Sequence, residues 1–157
     1  MVATQVLDHF HPTREDGTLY TGGYIVAADA QTGLPLGSLF VGDVPDDKAA
    51  RYIELAQEKP LRLAANMTKL GHVLSWQSRD PEANLWGGAV YIRIGNIILS
   101  FSGFPELWDE AIGLVTASIG LNVPATSLVS LAEISSNREF FWLMKLNGVY
   151  LIHPLAA

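Results

Sequence analysis

His9 and His11, with Asp8 beside them, are the first residues whose type and spacing could do chemistry. On an extended backbone the two imidazoles share one face, and imidazole with carboxylate suits a divalent cation. The same residues equally suit a plain polar chain terminus, and no motif joins them to His72 or His153. His72, after Gly71, could ligate a haem iron or serve as a loop or capping residue. Asp43, Asp46 and Asp47 could form a cation or acid–base cluster, yet carboxylates ahead of a helical pattern are also what a helix dipole favours. Asp109 and Glu110 carry the same two readings, with Glu110 a general base if it faces a pocket.

The aromatic residues Trp76, Trp86, Trp108, Phe140, Phe141 and Trp142 could line a flat apolar ligand site, a core or a subunit interface. Trp86 adjoins Gly87 and Gly88, which precede an apolar run. Glycines there let backbone amides approach a ligand closely, and they equally suit a tight turn or bulge. The sequence holds no Gly-rich phosphate loop, dinucleotide fingerprint or nucleophile elbow. With no cysteine, thiolate nucleophiles, disulfide frameworks and Cys-built zinc sites are excluded. The 10 Lys and Arg are scattered and the net charge is −6, so the concentrated positive charge that grips nucleic acid is missing. The start of the chain lacks a basic segment followed by an apolar one, and no apolar run nears the roughly 18 residues of a membrane span. A cytoplasmic location is expected, with neither nucleic acid nor membrane as partner.

The elements that must position these residues can be read from periodicity. Residues 24–28 and 36–41 flank Gln31-Thr32-Gly33 and predict a hairpin with Pro35 near a strand end. Ala49, Tyr52, Ile53, Ala56, Leu63 and Met67 recur at helical spacing, with Asp47–Arg51 and Glu58–Arg62 as charge pairs one turn apart. Pro60 predicts a kink, or two helices meeting near Lys59. Residues 89–94 and 97–101 flank Gly95-Asn96 and predict a second hairpin. Pro105 then opens a helix with Leu107, Trp108, Ala111, Ile112, Val115 and Ile119 as its buried stripe, ended by Gly120 and Asn122. Asn147-Gly148 predicts a third hairpin, between residues 140–144 and 149–152, although glycine also ends helices. The expectation is one α+β domain over residues 1–157, a central antiparallel sheet with flanking helices, whose first 18 residues could form a flexible N-terminal segment.

Three stretches occur in the order found in a known family. Ile53-Glu54-Leu55-Ala56-Gln57-Glu58-Lys59 followed by Leu63-Ala64-Ala65, then Gly87-Gly88-Ala89-Val90-Tyr91-Ile92-Arg93, then Phe101-Ser102-Gly103 before Asp109-Glu110-Ala111 resemble the GlcG-like family of haem-degrading and haem-binding (HbpS-like) proteins. The sequence departs from that family in having no evident N-terminal helix, in Pro60, and in the added segment 127–157. The resemblance implies a profilin-like fold of α-β-α layers and a homo-oligomeric domain that binds a small molecule. It also implies haem or a related tetrapyrrole as a possible cofactor, with Lys59, Gly87, Gly88 and Ser102 near the pocket. Arg62 and Trp86 complete the expected ligand-binding set: Lys59 or Arg62 for ligand carboxylates, Trp86 for a ring.

Two further readings stand beside this one. A non-catalytic oligomeric interaction protein without a ligand fits the absence of a catalytic constellation and the apolar tail of Phe140, Phe141, Trp142, Tyr150 and Leu151. An enzyme built on carboxylates or histidine needs no sequence motif.

Overall fold

A computed structural model describes residues 1–156. The elements run α1 (Val2–His9), β1 (Gly22–Asp29), β2 (Pro35–Gly42), α2 (Asp46–Leu70), β3 (Ala89–Ile92), β4 (Ile97–Ser102), α3 (Glu106–Gly120), α4 (Ala125–Ser135) and α5 (Arg138–Leu146). The four strands form one antiparallel sheet in the order β2-β1-β4-β3. Successive side chains of a strand point to opposite faces, and the core divides accordingly. Val26, Ala28, Ala89 and Ile98 meet Ala56, Leu63 and Ala64 of α2 on one face. Val90, Leu99 and Phe101 meet α3, α1 and α5 on the other. The molecule is thus an α+β fold in α-β-α layers.

The first two of the three expected hairpins form. Pro35 begins β2, and β3 joins β4 through four residues, 93–96, rather than two. The helix after Pro105 also forms, but Ile119 is exposed, so the buried stripe ends at Val115 and Ala117.

Three expectations are corrected. α2 runs unbroken through Pro60, so two helices do not meet at Lys59. Proline deprives the Ala56 carbonyl of its helical donor at a cost of about 3 kcal/mol. Tyr52, Ala56, Leu63 and Ala64 bury the turns on both sides of it, which holds the helix together. In the same helix Arg51 pairs with Glu54 rather than Asp47, while the Glu58–Arg62 pair is present.

The tail is a helix, not a hairpin. The Asn137 side chain accepts a hydrogen bond from the Phe140 amide and starts α5, and Phe140, Phe141, Leu143 and Met144 at helical spacing are buried. Gly148, at φ +78°, ends it. Its amide donates to the Lys145 carbonyl and that of Val149 to the Met144 carbonyl, a Schellman closure that uses the same Asn-Gly pair a hairpin would. The tail therefore buries Phe140 and Phe141 within the monomer, while Trp142 and Tyr150 remain exposed.

An N-terminal helix is present although none was evident. Val2, Ala3 and Val6 of α1 are buried in the core, and the side-chain amides of Gln5 and Asn147 exchange two hydrogen bonds of 2.9 Å. The segment 1–18 is in this way packed through its first half. Among the described residues no helix is long and apolar enough to cross a membrane.

Candidate functional site

Where the N-terminus of α3 faces the buried side of α2 there is a cleft of about 440 Å³. Its floor is an ion pair. Lys59, on the inward face of α2, is only 1% exposed, and its Nζ donates to Asp109 Oδ2 at 3.0 Å and to the Phe101 carbonyl at 2.7 Å. Asp109, in the first turns of α3, accepts the Phe104 amide on its other oxygen at 2.9 Å. Burial pushes the Asp109 carboxyl up to about 6, while the Lys59 ammonium and the Phe104 amide pull against that rise.

The sheet leaves room for this pair only because residue 88 is glycine. A Cβ there would lie 2.7 Å from Asp109 Cβ and 2.8 Å from Lys59 Nζ, and the backbone has φ +112°. The expected need for glycine at this position thus has a specific cause, the approach of a buried charge pair to the backbone.

Aromatic side chains make the walls: Tyr20, Tyr52, Trp86 and Phe104. Trp86 is held by its indole N–H donating to Asn84 Oδ1 at 2.7 Å and by its carbonyl accepting from Arg62 Nη2 at 2.6 Å. Arg14 lies over the Tyr20 ring, 4.3 Å from its centroid, and donates to the Tyr52 hydroxyl at 3.1 Å and to the Leu19 carbonyl at 2.7 Å. Burial raises the Tyr20 phenol above its ordinary value. Arg14 and the exposed Lys48, which also meets Asp47 at 3.5 Å, supply positive charge on the rim. Glu106, also at the rim, is neutralised by Arg79 at 2.6 Å and accepts the Gly87 amide at 2.9 Å.

The six residues expected to bind a ligand divide into two groups. Lys59, Trp86 and Ser102 line the cleft, whereas Arg62, Gly87 and Gly88 stand behind its wall. Two expected roles are corrected. Lys59 is not a free cation, because its ammonium is buried and already paired. Arg62 is an internal brace: its guanidinium donates to Glu58, to the carbonyls of Ser75, Ser78 and Trp86, and to the Ser78 hydroxyl. Nor is the Gly87 amide available to a ligand, since Glu106 occupies it. Trp76, Trp108 and Trp142 lie elsewhere, with Trp108 packed between Phe10 and Trp142.

Residues missed in the sequence are Arg14, Tyr20, Lys48 and Tyr52. The helical spacing of Tyr52 marks it as buried, but nothing local indicates that residues 14–20 fold across α2 to meet it. The Asp109–Glu110 pair, read as dipole partners or a base, is wholly buried, and Glu110 points away from the cleft toward Ser135 and Asn137. His9 and His11 sit at the end of α1, outside the cleft, and among the described residues no three His, Asp or Glu come together as metal ligands. Comparison with protein-family models, with curated proteins and with solved structures returns no match.

Proposed function

We propose that this protein binds a small organic anion, a carboxylate on a compact apolar body, in the cleft between α2 and the start of α3. The observation that carries the reading is the composition of that cleft, four aromatic side chains on its walls and two cations, Arg14 and Lys48, at its mouth. Its size falls within the roughly 300 to 1,000 Å³ of small-ligand sites, and a few placed polar groups in an otherwise apolar pocket are what fix a ligand's orientation. The ligand carboxylate meets the Arg14 guanidinium and the Tyr52 hydroxyl. The apolar body lies against Trp86 and Phe104. The Lys59–Asp109 pair beneath keeps the floor rigid and electrically neutral.

A tetrapyrrole, the ligand implied by the resemblance to GlcG-like proteins, belongs to this class, since it carries propionate carboxylates on a flat apolar ring. No histidine lines the cleft, so the iron of a tetrapyrrole there would take an oxygen donor such as the phenol of Tyr20 or Tyr52. Titration with phenylacetate and, separately, with haemin distinguishes the two. Saturable quenching of tryptophan fluorescence by phenylacetate, weakened at least about tenfold by Arg14→Ala and lost in Trp86→Phe, is the expected result. A saturable Soret shift with haemin would favour the tetrapyrrole. Saturation by neither ligand, with the protein folded, would overturn the reading.

A further inference from the structure

The two edges of the sheet are treated differently by the chain. The outer side of β3 is closed: the Tyr91 amide donates to the Val73 carbonyl at 2.9 Å, and Leu74 forms a bridge with Val90. The outer side of β2 has no such cover, and all its residues but Val41 are exposed. An open edge is ordinarily protected by charge, by an interrupting proline or by a bulge that turns it away. Here residues 30–42 contain no charged residue in a chain of net charge −6, and both the proline and the register shift opposite Ala27 and Ala28 lie at the start of the strand, in Pro35–Gly37, which leaves residues 38–42 regular and open.

We propose that β2 is the seam of a two-fold homodimer, pairing antiparallel with β2 of a second copy to make one eight-stranded sheet. The hydrogen-bond pattern limits the available registers. The Asp43 amide donates inward to the Thr21 carbonyl, so by alternation the amides and carbonyls of Phe40 and Ser38 face outward, as far as the register shift at Pro35–Gly37. A two-fold axis through Ser38 joins the two Ser38 residues by reciprocal hydrogen bonds. It brings Leu36 to Phe40 of the other copy, and Leu39 opposite Gly37. Leu36 is 66% exposed and Phe40 46%. Phe40 also borders a groove, lined with Val44, Asp46 and Ala49, into which the facing leucine fits.

Three observations select a second copy as the occupant. The strand is close to self-complementary about Ser38, with a large apolar residue two positions to either side. The uncharged strip lets two chains of charge −6 meet along an open edge without repulsion. Leu34, Leu36, Leu39 and Phe40, each exposed by about half, leave an apolar patch on the order of 400 Å², in the range that marks interaction surfaces.

The proposal is independent of the cleft reading, and its test uses the native absence of cysteine. Light scattering should give twice the chain mass, and Leu36→Lys should give the single mass with an unchanged circular dichroism spectrum. Under mild oxidation Ser38→Cys, on the axis, should cross-link nearly completely. Leu36→Cys, four residues out of register with its own copy, should not. A single mass for the unaltered chain at every concentration overturns the proposal, including the case in which β2 accepts a strand from a different protein. A dimer that survives Leu36→Lys, or cross-linking at Leu36→Cys in place of Ser38→Cys, also overturns it.

Discussion

Asp109 and Glu110 are neighbours on α3, both fully buried, and they occupy opposite electrostatic situations. About 100° of helix rotation separates them. Asp109 turns toward the sheet, meets a buried ammonium and forms the floor of the cleft. Glu110 turns toward α4 and α5, where one of its oxygens accepts from the Ser135 hydroxyl and the Asn137 side-chain amide, and the other has no partner among the described residues. No cation compensates it. Burial therefore raises its carboxyl to about 7, against Asp109's value of about 6. Two carboxylates in one helical turn thus serve different ends, one as part of a paired charge beneath a cleft, the other as a near-neutral junction between three helices.

The largest way to break this comparison is to crowd the paired side. Gly88→Val places branched carbon atoms against both Asp109 and Lys59 at a positive φ, and a loss of at least about 3 kcal/mol in denaturant unfolding is expected. Lys59→Met leaves Asp109 buried without its counter-ion and should cost about 3 to 5 kcal/mol at neutral pH. That cost should shrink as pH falls, beginning above pH 6, because the ammonium that held the Asp109 carboxyl down is gone and the acid takes up a proton more readily. In Lys59→Met/Asp109→Asn much of the loss should be recovered. A double variant no more stable than the single would refute the pairing argument.

On the unpaired side the test is pH. Because the folded-state value of Glu110 lies above its ordinary 4.5, the folded chain binds the proton more tightly than the unfolded one. Its contribution to stability is therefore complete below pH 4.5 and lost as pH rises through 7, by about 3 kcal/mol in all. Asp109 shifts stability in the same sense, but over the window from 3.8 to 6. Between pH 6 and 7.5 the dependence belongs to Glu110, and Glu110→Gln should flatten it. Stability curves of equal slope in that window for both proteins would show that Glu110 is not held protonated.

The smallest effect on stability is expected at the rim. Arg14→Gln removes a partly exposed guanidinium from Tyr20 and Tyr52 and should change stability by no more than about 1 kcal/mol, while phenylacetate binding falls. A larger loss would make Arg14 part of the framework instead of the site.

How much of this was legible in the sequence depended on how far each signal reaches along the chain. The two hairpins and the two long helices follow from turn residues and periodicity within a few positions, and they form. Asn147-Gly148 is compatible with both a hairpin and a helix end. The deciding information lay ten residues earlier, in Asn137 as an N-cap and in the spacing of Phe140, Phe141, Leu143 and Met144. α1 has no side-chain cap and only two turns, so its pattern is too short to stand out. Dipole complementarity explains the exposed Asp46 and Asp47, but Asp109 and Glu110 answer to partners 50 and 25 residues away. Lys59 and Ser102 were singled out by the order of motifs and Trp86 by its place beside Gly87, and these three line the cleft. Arg14 and Tyr20 reach the cleft through a long-range fold-over that no local pattern encodes.

The reciprocal amide contact between Gln5 and Asn147 spans 142 residues of chain. Closing a loop of that length from the unfolded chain opposes the contact by about 4 kcal/mol of entropy, more than two partly buried hydrogen bonds return. The contact therefore forms only after the sheet and the helices between its ends have brought them together, late in folding and beyond the rate-limiting barrier. Asn147→Ala should accordingly hasten unfolding while leaving the refolding rate nearly untouched, so that the join between the first helix and the last governs how long the native state persists rather than how quickly it is reached.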